Sequence, residues 1–410
     1  MAFVVIAATF ALLTTGGTLP IPLYTLWGED IGFGTATITW VFAIYVFGTL
    51  LALVFFGGLS DQVGRKPLAL AALLVTIAST LLFVFATDVA MLLAARFLSG
   101  VGVGLITSAA TAALAEVYEG NDKAIPSTVS TAANMGGLGL GALVAGLFAQ
   151  YLAAPTRLVF VVFLIIVVAV TLLTLLLPET NQRQPDRKII WTPRVGVPRE
   201  ARALYWRSAV AVFPTFTLLG LFSSLTPRFI RDSLGVTNLV VAGLATFILF
   251  EVGVAAQLAF RSRAPRRLIL WGLALLIVSL GLVLAGFLTE VISIFAVGTV
   301  IGGLGAGLGF LGGLGQLSRA VPHESHAESV ASYFIAAQAG LAVPVLAIGA
   351  LTGPFGLTGA TSIVIGVVVL LAVGALALNA VRARKPGLAV PPNCPATCEV
   401  AIIASRRASR

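Results

Sequence analysis

Three sets of residues in this chain have types and spacings suited to chemistry. The first is GGLSDQVGRKPLAL, residues 57 to 70, where Asp61, Arg65 and Lys66 gather around Gly64 between long apolar stretches. An acid and a base four apart can form a breakable ion pair, and glycine accepts the backbone angles of a tight reversal. The second is Arg96 in RFLSGVGVG and the third is Glu251 in ATFILFEVGVAAQLAF, each a lone charge inside an apolar run. A charge at the centre of a bilayer costs about 3 kcal/mol on insertion scales, so residues of this kind are functional by default. Arg96 counts about two turns inward from Asp88, and Glu251 about two turns inward from Arg261. Two readings stand for each. Arg96 either faces a cavity or holds structure, and Glu251 either takes up and releases a proton or stays protonated and hydrogen-bonds a neighbouring helix.

Such residues need a membrane around them, and the composition supplies one. The chain has 410 residues, 59% of them hydrophobic, with a mean hydropathy of +1.05, more apolar surface than a soluble domain can hide. Apolar runs of about twenty residues suit helical spans, whereas barrel strands would show about ten alternating residues. The pattern predicts an all-α membrane protein with helices near 2–27, 37–58, 67–87, 90–117, 124–151, 157–178, 206–231, 237–260, 267–288, 290–318, 327–352 and 357–380, twelve in all. The first run lacks the basic start of a signal peptide, so it is expected to stay in the mature chain.

Bases fall unevenly among the connections. One alternate set holds Arg65, Lys66, Lys123, Arg183, Arg187, Lys188, Arg194, Arg199, Arg202, Arg261, Arg263, Arg266, Arg267 and Arg319, while the other holds Arg157, Arg228 and Arg231. Positive charge stays on the cytoplasmic side, which predicts a multi-pass protein of the cell inner membrane with both termini cytoplasmic. The net charge of +9 then reflects topology and not nucleic-acid binding. The long polar stretch at 179–205 divides six spans from six. The expected units are an N-terminal bundle (1–178), a cytoplasmic linker (179–205), a C-terminal bundle (206–380) and a disordered cytoplasmic tail (381–410). GRKPLAL and APRRLIL, the pairs TD at 87–88 and TE at 289–290, and Asn134 with Gln338 sit at corresponding places in the two halves. Repetition of this kind marks secondary transporters, whose substrate site lies where the halves meet.

The spacing Gly57-x-Leu59-x-Asp61-x-x-Gly64-Arg65-Lys66 resembles the loop signature of the major facilitator superfamily, G-x-L-x-D-x-x-G-R-[RK], at every position. The resemblance implies two pseudo-symmetric six-helix bundles and a loop that latches them on the cytoplasmic side. Asp61 and Arg65 are then gating residues, with Glu116 completing an acid–base–acid cluster; a plain turn is the alternative. The second copy carries Arg261 where Asp61 would fall, so its latch is degenerate. Arg96-x-x-Ser99-Gly100-x-Gly102-x-Gly104 resembles the superfamily's fourth-span motif, whose arginine is implicated in proton coupling. Gly141-Ala142-x-x-Ala145-Gly146 resembles the fifth-span G-P-x-x-G-G element of its drug–proton antiporters, with alanine in place of the proline and of one glycine. Gly137, Gly141 and Ala145, four apart with Gly146 adjacent, also make a smooth face for close helix packing.

Two spans are interrupted, the first by TTGGTLPIPLY and the seventh by FSSLTPRF, and interrupted helices line cavities or are buried in protein. The superfamily's substrate is surrounded by spans one, four, seven and ten. That implies Thr18, Tyr24, Arg96, Ser224 and Gln316 as cavity candidates, with Asn134 and Gln338 as neighbours, each otherwise an interhelical hydrogen-bonder.

Other chemistry finds no support. There is no G-x-x-x-x-G-K-[ST] loop for ATP, His323 and His326 do not form H-E-x-x-H, and the glycine run at 302–315 lies inside a span where no dinucleotide loop can form. Cys394 and Cys398 lack the partners of a metal site. The chain is expected to be no enzyme and to need no cofactor or metal, with the proton gradient as energy source. Its expected partners are a small-molecule substrate, protons and the lipid bilayer, acting on a functional monomer. The expected function is proton-coupled secondary active transport by alternating access, with efflux of a drug-like or amphipathic compound. The alternatives are a proton-coupled importer of a sugar or metabolite and a non-transporting receptor on the same scaffold.

Overall fold

The computed structural model describes residues 2–56, 59–121, 125–176, 196–232, 234–321 and 326–381, without the side chains of residues 60, 61, 326 and 327. All regular structure among these residues is helical. The elements are α1 (Ala2–Thr18), α2 (Tyr24–Ile31), α3 (Thr35–Phe56), α4 (Leu59–Val63), α5 (Arg65–Val84), α6 (Val89–Val117), α7 (Ile125–Thr131), α8 (Gly137–Tyr151), α9 (Pro155–Leu176), α10 (Arg202–Ser224), α11 (Thr226–Asp232), α12 (Leu239–Phe260), α13 (Pro265–Thr289), α14 (Ile292–Ala320) and α15 (His326–Ala380). A π-helical turn, Ala132–Gly136, joins α7 to α8.

Among the described residues ten helical segments are long and apolar enough to cross a membrane, with α7 through α8 counted as one. The 55-residue α15 carries two crossings, because Gly356 at φ 69° breaks it. The shorter α1 supplies the remaining one. The twelve spans and their all-α architecture follow.

Local chemistry sets the ends. Asp88 caps α6 by accepting a hydrogen bond from the Met91 N–H at 2.8 Å, and Asn238 caps α12 through the Val240 N–H at 2.9 Å, each satisfying an orphan donor of a first turn. Pro265 opens α13, where its missing N–H has no cost. Gly64 has φ 113°, open only to glycine at low cost, and this turns the chain from α4 into α5.

Two expected helices are shorter than their apolar runs. The run 2–27 breaks after Thr18, because Pro20 has no N–H for the Gly16 carbonyl and the Ile21 N–H turns back to the Thr18 carbonyl at 3.0 Å. The chain passes Leu19 to Leu23 and restarts as α2. The run 206–231 is likewise interrupted at Leu225, between α10 and α11.

One apolar core gathers residues of α1 to α9, with Trp27, Phe83 and Phe160 stacked at its heart and the two phenylalanine rings 4.6 Å apart. A second gathers residues of α10 to α15 around Phe222, Phe229, Phe287 and Phe295, and takes in Met135 from the first half. The halves meet where α8 packs along α12 and α3 along α15. Outward faces carry large apolar side chains such as Ile165, Leu172 and Leu176, as lipid contact requires.

Candidate functional site

Arg96 lies wholly buried in α6. Glycines bring α6 unusually close to α3: a Cβ at Gly100 would overlap the Tyr45 carbonyl, and one at Gly48 the Phe97 carbonyl. The guanidinium therefore rests over the Tyr45 ring at 4.3 Å, with the Tyr24 ring at 5.8 Å, near enough for cation–π attraction. Its Nη1 donates to the Gly17 carbonyl at 2.7 Å. That oxygen is the one freed when the Ile21 N–H turns to Thr18, so the break in α1 supplies the acceptor. Nε and Nη2 of Arg96 and the Tyr24 hydroxyl are buried with no hydrogen-bond partner.

Glu251 sits in the seam between α12 and α8. A Cβ at Gly139 would lie 2.7 Å from its Oε1 and one at Gly136 3.5 Å, so the carboxyl occupies space that two glycines leave open. Oε1 is buried and has no hydrogen-bond partner. The π-turn Ala132–Gly136 faces it, and Asn134 is half-buried within that turn. Six residues along α12, Gln257 donates to the Met135 sulfur at 2.9 Å. π-turns inside α-helices gather at functional sites, and nothing in the run TAANMGG signals one.

In the reversal loop Arg65 pairs with Glu116, Nη2 to Oε1 at 2.7 Å and Nε to Oε1 at 3.1 Å. Lys66 donates to the Leu175 carbonyl at 2.7 Å. Arg65 and Lys66 border a cleft lined by Ile6, Thr9, Ala69 and Ala113. Leu59 starts α4 and packs against the first core. Gly57 and the side chain of Asp61 lie outside the described residues.

The small-residue face of α8 is used on two sides. Cβ atoms at Gly137 and Gly141 would overlap the Ala11 and Thr15 carbonyls of α1, while one at Gly146 would lie 2.8 Å from the Leu239 carbonyl of α12; Ala145 is fully buried. The Thr18 hydroxyl donates to the Leu138 carbonyl at 2.7 Å and the Ser224 hydroxyl to Gly220 at 2.7 Å. Gln316 Nε2 reaches Ser208 Oγ at 3.4 Å, and Gln338 is buried with Oε1 unpartnered. Two clusters thus form, Arg96 with Tyr24 and Thr18 near the break in α1, and Glu251 with Asn134 and the α8 glycines in the seam, while Ser224, Gln316 and Gln338 join neither.

Sequence reasoning missed Tyr45, which covers Arg96, and an ion pair between Glu29 and Arg231. The second had a signal, since each residue follows the break in its own half. Among the described residues no group of three or more His, Cys, Asp or Glu could hold a metal ion.

Comparison with known proteins agrees with this architecture. A bacterial homologue of the human lysosomal transporter Spinster, solved in an inward-facing, occupied conformation, matches with a TM-score of 0.71 and 14% identity over 92% of this chain and 95% of that one. Its inward-facing, unoccupied form matches with a TM-score of 0.69 and 17% identity over the same shares. Multidrug resistance protein MdtL of Citrobacter koseri is 33% identical over 95 residues, 23% of this chain and 24% of the relative. An uncharacterized transporter of Rickettsia felis is 32% identical over 120 residues, 29% of this chain and 28% of that protein. The chain thus aligns with only about a quarter of the length of these curated relatives. The family model of the Major Facilitator Superfamily matches residues 4–277, and the chain belongs to that superfamily of membrane transporters.

Proposed function

We propose that the chain is a proton-coupled secondary active transporter that exports a small drug-like or amphipathic compound by alternating access. The observation that carries this reading is the Glu251 carboxyl, held between α12 and the glycines of α8 with an oxygen that has no hydrogen-bond partner. Glu251 is half-buried, and a carboxylate oxygen buried there without a partner is costly, whereas a protonated carboxyl is less so. When the halves part, water reaches the group and the proton can leave. Proton occupancy and seam closure are then linked, and each shifts the other by the same coupling energy. The names of the MdtL relatives support the direction of transport.

In this reading residues 1–178 and 206–380 are the moving bundles, 179–205 the linker, and 381–410 a cytoplasmic tail. The protein works as a monomer in the inner membrane with both termini inside. Gly57, Leu59, Asp61, Gly64, Arg65, Lys66 and Glu116 form the cytoplasmic latch, supported by the fork that Arg65 makes on Glu116. The test is a pH-sensitive dye inside proteoliposomes, with candidate compounds added under an imposed gradient. Substrate-dependent proton movement is expected, and its absence in both orientations sinks the coupling.

A further inference from the structure

Six buried side-chain polar atoms among the described residues lack a hydrogen-bond partner, and three of them gather in one place: Arg96 Nε, Arg96 Nη2 and the Tyr24 hydroxyl. All three can donate, and none faces an acceptor. A guanidinium carries five N–H bonds and cannot shed its charge. Here it has one carbonyl and two aromatic faces. Among the described residues no ion pair reaches Arg96. The one acid in the middle of a described span is Glu251, whose contacts lie in the seam with α8. A buried cation left without an anion is among the most unfavourable arrangements in a protein interior, and truncation or pairing is the usual remedy. Evolution has done neither here within the chain itself.

We propose that Arg96 and Tyr24 receive the anionic head of the transported compound, a carboxylate, sulfonate or phosphonate on an apolar body. The inference rests on the transport reading above and names the substrate class. An oxyanion supplies the acceptor lone pairs that the three orphan donors lack, and a guanidinium presents two N–H bonds in the fork that such a group matches. Tyr45 defines the access route. Its ring covers Arg96 and packs in an apolar group with Val345 of α15, so separation of α15 from α3 removes the packing that holds the ring in place and lets it swing off the guanidinium. Gly48 and Gly100 hold α3 and α6 together beneath it, which keeps the donors in place while the halves move.

The test uses the full chain in nanodiscs of neutral lipid with three probes of one shape: naphthalene-2-carboxylate, naphthalene-2-carboxamide and 2-naphthylmethylammonium. Affinity is read from competition and thermal stabilisation. The carboxylate is expected to bind about tenfold or more tightly than the amide, as a charge-assisted hydrogen bond allows. Arg96→Gln should abolish the preference and Arg96→Lys keep part of it. Tyr24→Phe removes one donor at nearly constant volume, and should weaken the carboxylate several-fold while leaving the amide unchanged. If Arg96→Gln does not fold, wild-type selectivity and Tyr24→Phe decide. The proposal is overturned if the wild type binds carboxylate and amide alike, binds none of the probes, or if folded Arg96→Gln keeps the preference. Proton movement measured separately distinguishes the two readings: anion preference without substrate-driven protons removes the coupling and keeps this site, and the converse removes this site alone.

Discussion

Arg231 Nη1 lies 2.5 Å from Glu29 Oε1, which ties α11 to α2 across the two halves. Both helices follow a break, α2 the one after Thr18 and α11 the one at Leu225, so the pair spans equivalent places in the duplicated design. It closes the end of the bundle opposite the Arg65–Glu116 pair.

Both partners of the Glu29–Arg231 pair are well exposed, at 55% and 39% respectively, so the bond contributes at most about 1 kcal/mol. Glu29→Arg should therefore shift the balance between open and closed forms by no more than about fivefold. Reversing both charges should restore it. Spin labels on α2 and α11 read the distance, and a double reversal that fails to restore the distribution shows that the pair does not bias closure.

The Arg65–Glu116 fork uses Nε and Nη2 together. Lysine keeps the charge but cannot make the fork. Arg65→Lys is expected to slow transport, with Glu116→Gln slower still, while binding of substrate changes little. Equal turnover in all three proteins would reduce the loop to a simple turn.

Gly141 and Gly374 separate packing from helix propensity. A Cβ at Gly141 would overlap the Thr15 carbonyl, whereas one at Gly374 meets nothing within 4 Å. Gly141→Ala should cost about 1–3 kcal/mol through overpacking. Gly374→Ala should be neutral or stabilising by up to about 1 kcal/mol. Thermal unfolding in detergent checks both, and a tolerant Gly141 contradicts the close contact of α8 with α1.

Glu251→Gln replaces the carboxyl by a group of the same shape that cannot titrate. Transport by this variant is expected to lose its dependence on the proton gradient while counterflow of substrate persists. Gly139→Ala should mimic part of the defect, because its Cβ would sit 2.7 Å from Glu251 Oε1. A variant with wild-type gradient dependence assigns the proton elsewhere.

The length and spacing of the apolar runs made the twelve spans legible in the sequence, because a bilayer fixes how long an apolar helix must be. Gly64 was equally legible, since a charged reversal between two spans needs a residue that accepts φ 113°. The same holds for the smooth face of α8, where small residues four apart imply a close neighbour. Composition could not name that neighbour. Gly137 and Gly141 meet α1, while Gly146 meets α12, and one stripe thereby serves both an internal contact and the seam between the halves.

The partners of the two intramembrane charges were decided only by the tertiary structure. The sequence isolated Arg96 and Glu251 as costly, because the price of burying a charge depends on residue type and depth alone. What surrounds them depends on atoms more than 70 residues away, the Gly17 carbonyl for Arg96 and the space left by Gly139 for Glu251. No local pattern encodes a carbonyl freed by a helix break or a π-turn facing a carboxyl. They arise when helices distant in the chain come to lie side by side.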